Sequence, residues 1–132
     1  MTGISILIAE DEAMTAMFME TMLIRKGYRV IRCVSSGEDA VYYAVKCRPH
    51  LVIMDIRLAG KMDGLEAVSK IKEETGTATQ FIFATGYSDL ELKEQAMNLE
   101  PLDFLIKPIN LPEMVRIIES SFSEQTDKSQ VN

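Results

Sequence analysis

Four short stretches carry the side chains with the most chemistry in them. They are the acidic triplet Glu10-Asp11-Glu12, the carboxylate Asp55 closing the apolar run Leu51-Val52-Ile53-Met54, the hydroxyl of Thr85 before Gly86, and Lys107 before Pro108. Each alone has a plainer reading: Asp55 as a turn or capping residue, Thr85 as part of a strand, Lys107 as a surface residue. Together they describe a site. Two carboxylates about 5 Å apart at an effective dielectric near 20 repel by roughly 3 kcal/mol, so several in one place call for a cation or a retained proton. Ligands that are all oxygen select a hard ion, and a few carboxylates with room for water suit Mg²⁺ rather than Ca²⁺. A carboxylate beside Mg²⁺ and a lysine can attack phosphorus and become an aspartyl phosphate. Glu12 is equally explained as a solvated first-turn acid favoured by the helix dipole, and is left out of the metal set.

These residues need elements to bring them together. Ile4-Ser5-Ile6-Leu7-Ile8, Arg29 to Val34, Leu51 to Met54, Gln80 to Thr85 and Asp103 to Ile106 read as five short strands. Helical patterns separate them. The first runs from about Glu12 to Lys26 and is closed by Gly27. Ser35 with Glu38, Ser88 with Glu91, and Asn110 with Glu113 have capping-box spacing ahead of three others. Leu65, Val68 and Ile71 mark the helix between the third and fourth strands. Runs that are apolar throughout are buried on both faces, which requires helices above and below a parallel sheet. The expected fold is therefore α/β, a doubly wound five-stranded parallel sheet of flavodoxin-like (βα)5 type. In such sheets ligands bind beyond the carboxyl ends of the strands, where all four stretches stand.

Composition narrows the rest. At 132 residues the chain suits one domain, expected over residues 1–123, with a flexible polar tail over 124–132. A formal charge of −6 opposes nonspecific nucleic-acid binding. No apolar run approaches a membrane span. Cys33 and Cys47 show no metal or disulfide spacing and are expected to be buried or semi-buried thiols in a reducing, cytoplasmic setting. His50 is expected in the loop before the third strand, away from the site. Methionine is dense in the first helix, on more than one stripe. Met14 and Met17 are the expected exposed members, an adaptable surface for a partner.

From Ile4 to Phe122 the chain resembles the receiver domain of bacterial and archaeal two-component response regulators. The resemblance rests on Glu10-Asp11-Glu12 after the first strand, Asp55 closing the third, and Met62-Asp63-Gly64 in the following loop. Ala84-Thr85-Gly86 and Phe104-Leu105-Ile106-Lys107-Pro108 complete it. It implies that Asp55 is the phosphoacceptor, that Glu10, Asp11, Asp55 and the backbone carbonyl of Arg57 hold Mg²⁺, and that Thr85 and Lys107 bind the phosphoryl group. Thr85 and Phe104 would be the switch residues, and Lys107-Pro108 a cis peptide. The implied partners are a sensor histidine kinase or phosphotransfer protein, often docking on the first helix, and a downstream protein target. A homodimer through the fourth helix, fifth strand and last helix is a further implied arrangement. Bulky Arg57 and Tyr87 imply slow loss of the phosphoryl group.

The sequence departs from the family pattern at Glu10, where Asp is frequent, and in the loop from Asp55 to Gly64, one residue longer than usual and without its common proline. The alternative is a phosphorylation-independent interaction module on the same fold. A hydrolase with an Asp nucleophile commonly carries a second acid two residues on, where Arg57 stands. A nucleotide or flavin binder would need a phosphate loop where the acidic triplet repels phosphate. A turnover enzyme is not expected.

Overall fold

The computed structural model describes residues 3–131, with the side chains of Tyr87 and residues 123–131 outside the described set. Five strands form one parallel sheet: β1 (Ser5–Ala9), β2 (Arg29–Val34), β3 (Leu51–Met54), β4 (Gln80–Thr85) and β5 (Asp103–Ile106). Their spatial order is β2-β1-β3-β4-β5. The chain steps outward from β1 to β2, then returns past β1 to β3, so the direction of winding reverses between β1 and β3. That reversal opens a crevice at the carboxyl ends of these two strands.

Alternate side chains of the strands feed two cores. Ile6, Ile8, Ile53 and Ile82 pack with Met19 and Leu23 of α1 (Ala13–Arg25) and with Met114 and Ile118 of α5 (Leu111–Val131). Leu7, Val52, Met54 and Phe83 pack on the other face with Ala40 and Ala44 of α2 (Gly37–Cys47), with Ala67, Val68 and Ile71 of α3 (Gly64–Thr75), and with Ala96 of α4 (Lys93–Met97). Every residue of β3 is buried, as its unbroken apolar run requires. β2, at the edge, is exposed at Arg29 and Arg32 and fully buried only at Val34, and its register with β1 is irregular between Ile6 and Leu7.

Helix starts differ from the sequence reading at two places. The cap of α2 is Ser36, whose hydroxyl accepts the Asp39 N–H, and not Ser35. Ser35 is engaged through its carbonyl, which accepts the Ala59 N–H. The segment after β4 does not open with a Ser88 cap. It forms a 3-10 turn over Tyr87–Leu92, with Asp89 off helical geometry, and becomes α-helical only at Lys93. The expected Asn110 cap is present, its side chain accepting the Glu113 N–H. The backbone of α5 is helical to Val131, through the segment expected as a polar tail.

Candidate functional site

Three charged site residues just past the strand ends are held by the sheet itself. Just past β1 the Glu10 N–H donates to the Val34 carbonyl, and just past β3 the Asp55 N–H donates to the Ala9 carbonyl. Just past β5 the Lys107 N–H donates to the Thr85 carbonyl. Each side chain thus stands one step beyond its strand while its backbone continues the ladder, the positional precision a charged cluster needs. The Lys107–Pro108 peptide bond is cis.

Glu10, Asp11 and Asp55 each present a carboxylate oxygen to one group, these oxygens lying within 4.8 Å of one another. Glu10 and Asp55 are buried and Asp11 is exposed. Lys107 Nζ sits 2.6 Å from Asp55 Oδ2 and 2.5 Å from Glu10 Oε1. Glu10 Oε2 accepts the Glu12 N–H, whereas Oε1 is buried and its contact with Lys107 is a charge pair without hydrogen-bond geometry. Burial pushes the Glu10 carboxyl above its usual range, with the Asp55 charge adding to it, against the opposing pull of Lys107 and the Glu12 N–H. Burial acts to lower the Lys107 ammonium, but its hydrogen bond to Asp55 and its charge pair with Glu10 outweigh this and leave it raised. Three carboxylates and one ammonium leave two negative charges, which one divalent cation would neutralise. An all-oxygen donor set, partly open to water, and a buried oxygen short of a hydrogen bond fit Mg²⁺.

Asp55 Oδ1 accepts the Arg57 N–H at 3.2 Å. The Arg57 side chain turns away from the acidic group to Asp89, with Nε and Nη2 both 2.8 Å from Oδ1. Thr85 is fully buried and its hydroxyl donates to Asp89 Oδ2 at 3.3 Å. Sequence reasoning missed Asp89, because a Ser88–Glu91 cap would have left it on the outside of a regular helix. Its position four residues after Thr85 was the available signal. Phe104 is buried, 6.4 Å from Phe83 between ring centroids, with Lys93 Nζ 5.9 Å from its ring centre.

The long loop after Asp55 is stitched to α2: Ala59 bridges to Ser36, and the Lys61 N–H donates to Glu38 Oε2. Met62 packs against the core on the α2–α3 face. Gly64 begins α3 directly against the Asp55 and Ile56 backbone, where an added Cβ would collide with the Asp55 carbonyl. Asp63 caps that helix by accepting the Glu66 N–H.

The remaining residues fall as follows. Met14, Met17 and Phe18 are exposed on α1, each by more than half. His50 lies at the opposite edge of the sheet, its Nδ1 accepting the Ser5 N–H. Cys33 is half-buried, its thiol pushed up to about 11 chiefly by burial and then by Glu20. Cys47 is exposed at the last turn of α2, not buried as expected; the turn faces outward. Among the described residues no helix is long and apolar enough to cross a membrane.

With this geometry in view, comparison with known proteins decides the family. The family model for the response regulator receiver domain matches residues 6–119. This chain belongs to the response regulator receiver domain family. It is 32% identical over 118 residues to the transcriptional regulatory protein PdtaR of Mycobacterium tuberculosis, covering 89% of this chain and 56% of that protein. It is 31% identical over 106 residues to a protein-glutamate methylesterase/protein-glutamine glutaminase of Natronomonas pharaonis, covering 80% of this chain and 30% of that enzyme. The chain thus spans about half or less of these relatives. The crystal structure of the signal receiver domain of a modulated diguanylate cyclase from Desulfovibrio desulfuricans G20 superposes with a TM-score of 0.80 at 30% identity, covering 94% of this chain and 97% of that one. Receiver domains are the phosphoacceptor modules of two-component signalling and interact with histidine kinases or phosphotransfer proteins.

Proposed function

We propose that this receiver domain accepts a phosphoryl group on Asp55 in a Mg²⁺-dependent reaction and changes its partner-binding surface in response. The observation that carries this reading is the Lys107 ammonium between Asp55 and Glu10, with Asp11 completing the acidic group. Glu10, Asp11, Asp55 and the Arg57 carbonyl would hold the ion. Bound there, it would neutralise the carboxylates and the charge of the transferred group.

The reaction starts from a phosphohistidine on the partner. An Asp55 oxygen attacks phosphorus, forming the O–P bond as the P–N bond breaks, and the bonding pair leaves with the donor imidazole. Lys107 balances charge on the phosphoryl oxygens, and Thr85 gives one of them its hydroxyl proton as a hydrogen bond. Thr85 and Phe104 then pass the change to α4, β5 and α5, the face on which a downstream protein or a second copy would bind. Met14, Met17 and Phe18 are exposed on α1, with Phe18 lining the groove beside Lys107 and Pro108 and Met17 a second groove beside Glu10 and Asp11, and this surface suits docking of the donor. The bulk of Arg57 and Tyr87, two residues past Asp55 and Thr85, supports a fairly long-lived phosphoryl group, although Arg57 is turned to Asp89 here and the Tyr87 side chain lies outside the described residues. The domain ends near residue 123, acts in the cytoplasm, and binds no nucleic acid directly. It is not a turnover enzyme.

Incubation with acetyl phosphate and Mg²⁺, followed by intact mass measurement, tests the reading. Wild type gains one phosphoryl group; Asp55→Asn gains none, and chelation of Mg²⁺ abolishes the gain. An unmodified wild type would favour a phosphorylation-independent module. A lifetime of seconds would sink the slow-hydrolysis claim alone.

A further inference from the structure

Asp89 is a carboxylate only 2% exposed, outside the acidic group, at the carboxyl edge of β4. It links two residues already described. Its Oδ1 takes both Arg57 Nε and Nη2 at 2.8 Å, and its Oδ2 takes the Thr85 hydroxyl at 3.3 Å. Arg57 in turn gives its backbone N–H to Asp55. We propose that Asp89 is a positioning residue, a latch that holds the Thr85 hydroxyl in competition with a phosphoryl group on Asp55, with Arg57 holding the latch. This inference rests on the phosphoacceptor reading and adds to it a residue that sets how readily the switch turns.

A threonine hydroxyl has one proton to donate. Given to Asp89, it is withheld from a phosphoryl oxygen. Thr85 is fully buried, so its hydroxyl cannot leave Asp89 for water and needs a replacement acceptor. The two sides of Asp89 are unequal. The Arg57 side is short, doubled and charge-assisted, and the Thr85 side is long. Exchange therefore happens at the Thr85 bond, with Asp89 staying on Arg57. The backbone is built around this arrangement: the Asp89 N–H donates to the Gly86 carbonyl, and its φ of −102° and ψ of 15° interrupt the helix until Lys93. A regular helix from Gly86 onward would not aim that carboxylate inward.

The latch biases the protein toward its unphosphorylated form by about the worth of one weak hydrogen bond, so its removal is expected to change affinity by about threefold to tenfold. Beryllofluoride with Mg²⁺, a phosphoryl analogue, is titrated by calorimetry into wild type, Asp89→Ala, Thr85→Val and the double variant. Asp89→Ala is expected to tighten the Kd by that factor, and the gain is expected to vanish in the Thr85→Val background. Removing a negative charge near the site would also tighten binding, but that effect would survive in Thr85→Val. A gain that survives there, or no gain, overturns the latch. Asp89→Asn, which keeps the side-chain volume, replaces Asp89→Ala if the latter does not fold, with a smaller gain of the same sign and the same dependence on Thr85. A wild type that neither binds beryllofluoride nor is labelled by acetyl phosphate overturns the phosphoacceptor reading itself, and is told apart because no variant is involved.

Discussion

Two charged clusters stand side by side at the carboxyl edge of the sheet, and they are built on opposite principles. Around Lys107, three carboxylates face one ammonium, with Glu10 and Asp55 buried and the sum two charges short of neutral. Around Asp89, one buried carboxylate meets one guanidinium that is 72% exposed, and the charges balance. Folding tolerates a buried charge when it is paired and hydrogen-bonded. The second cluster meets that condition with its own residues. The first meets it only with something added, and this is the physical mark of a binding site as against a structural ion pair. The bridge between them is Arg57, whose N–H serves one cluster and whose guanidinium serves the other.

The contrast breaks most visibly at Lys107. Lys107→Ala leaves Glu10 and Asp55 buried without a counter-ion, a change expected to cost about 3 kcal/mol in urea melts with Mg²⁺ chelated. Added Mg²⁺ should recover more stability in this variant than in wild type. Equal losses with and without the ion would mean that the cluster is a structural pair after all. Gly64→Ala comes next. A Cβ there strikes the Asp55 carbonyl, so α3 or the Asp55 loop must move, at about 1–3 kcal/mol. Binding of Mg²⁺ should weaken as well, because the displaced backbone carries Asp55. A melt unchanged from wild type would show that the loop yields freely.

Legibility in the sequence followed the same divide. The apolar runs marked the inner strands closely, because continuous burial leaves no room for another pattern: β3 is Leu51–Met54 and β4 is Gln80–Thr85, as expected. Glu10, Asp11, Asp55, Thr85 and Lys107 were legible as a group because strand ends in this architecture converge, and because the family resemblance assigned them roles. Asp89 was not. Its burial depends on a 3-10 turn whose cause is the tertiary contact with Arg57 and Thr85, and no local pattern announces a contact across 32 residues. The Ser35 cap failed for a related reason: the Ser35 carbonyl is drawn into pairing with Ala59 of the long loop, which moves the helix start one residue on.

The balanced cluster supplies the third expectation. Arg57→Ala removes the guanidinium from Asp89 but leaves the backbone N–H on Asp55, so it separates the two functions of that residue. Stability should fall by less than for Lys107→Ala, since the guanidinium is largely exposed. The loss should not depend on Mg²⁺, because no metal-group carboxylate loses a partner. A loss that Mg²⁺ reverses would show that the clusters are energetically one.

Asp11 gives the smallest effect on folding and the sharpest on binding. It is exposed, whereas its two companions in the acidic group are buried, so its charge is already hydrated in the absence of an ion. Asp11→Asn should leave the melting temperature of the chelated protein nearly unchanged, with any shift upward because one repulsion is relieved. The same substitution removes a hard anionic ligand from a site with few, and Mg²⁺ affinity should fall by about tenfold or more. Melting temperature followed against Mg²⁺ concentration reads both at once, since an ion bound to the native state stabilises it according to its Kd. If Mg²⁺ raised the melting temperature of Asp11→Asn along the same curve as wild type, the ion would be held by Glu10 and Asp55 alone. The exposed carboxylate would then be a solvated acid just ahead of the N-terminus of α1.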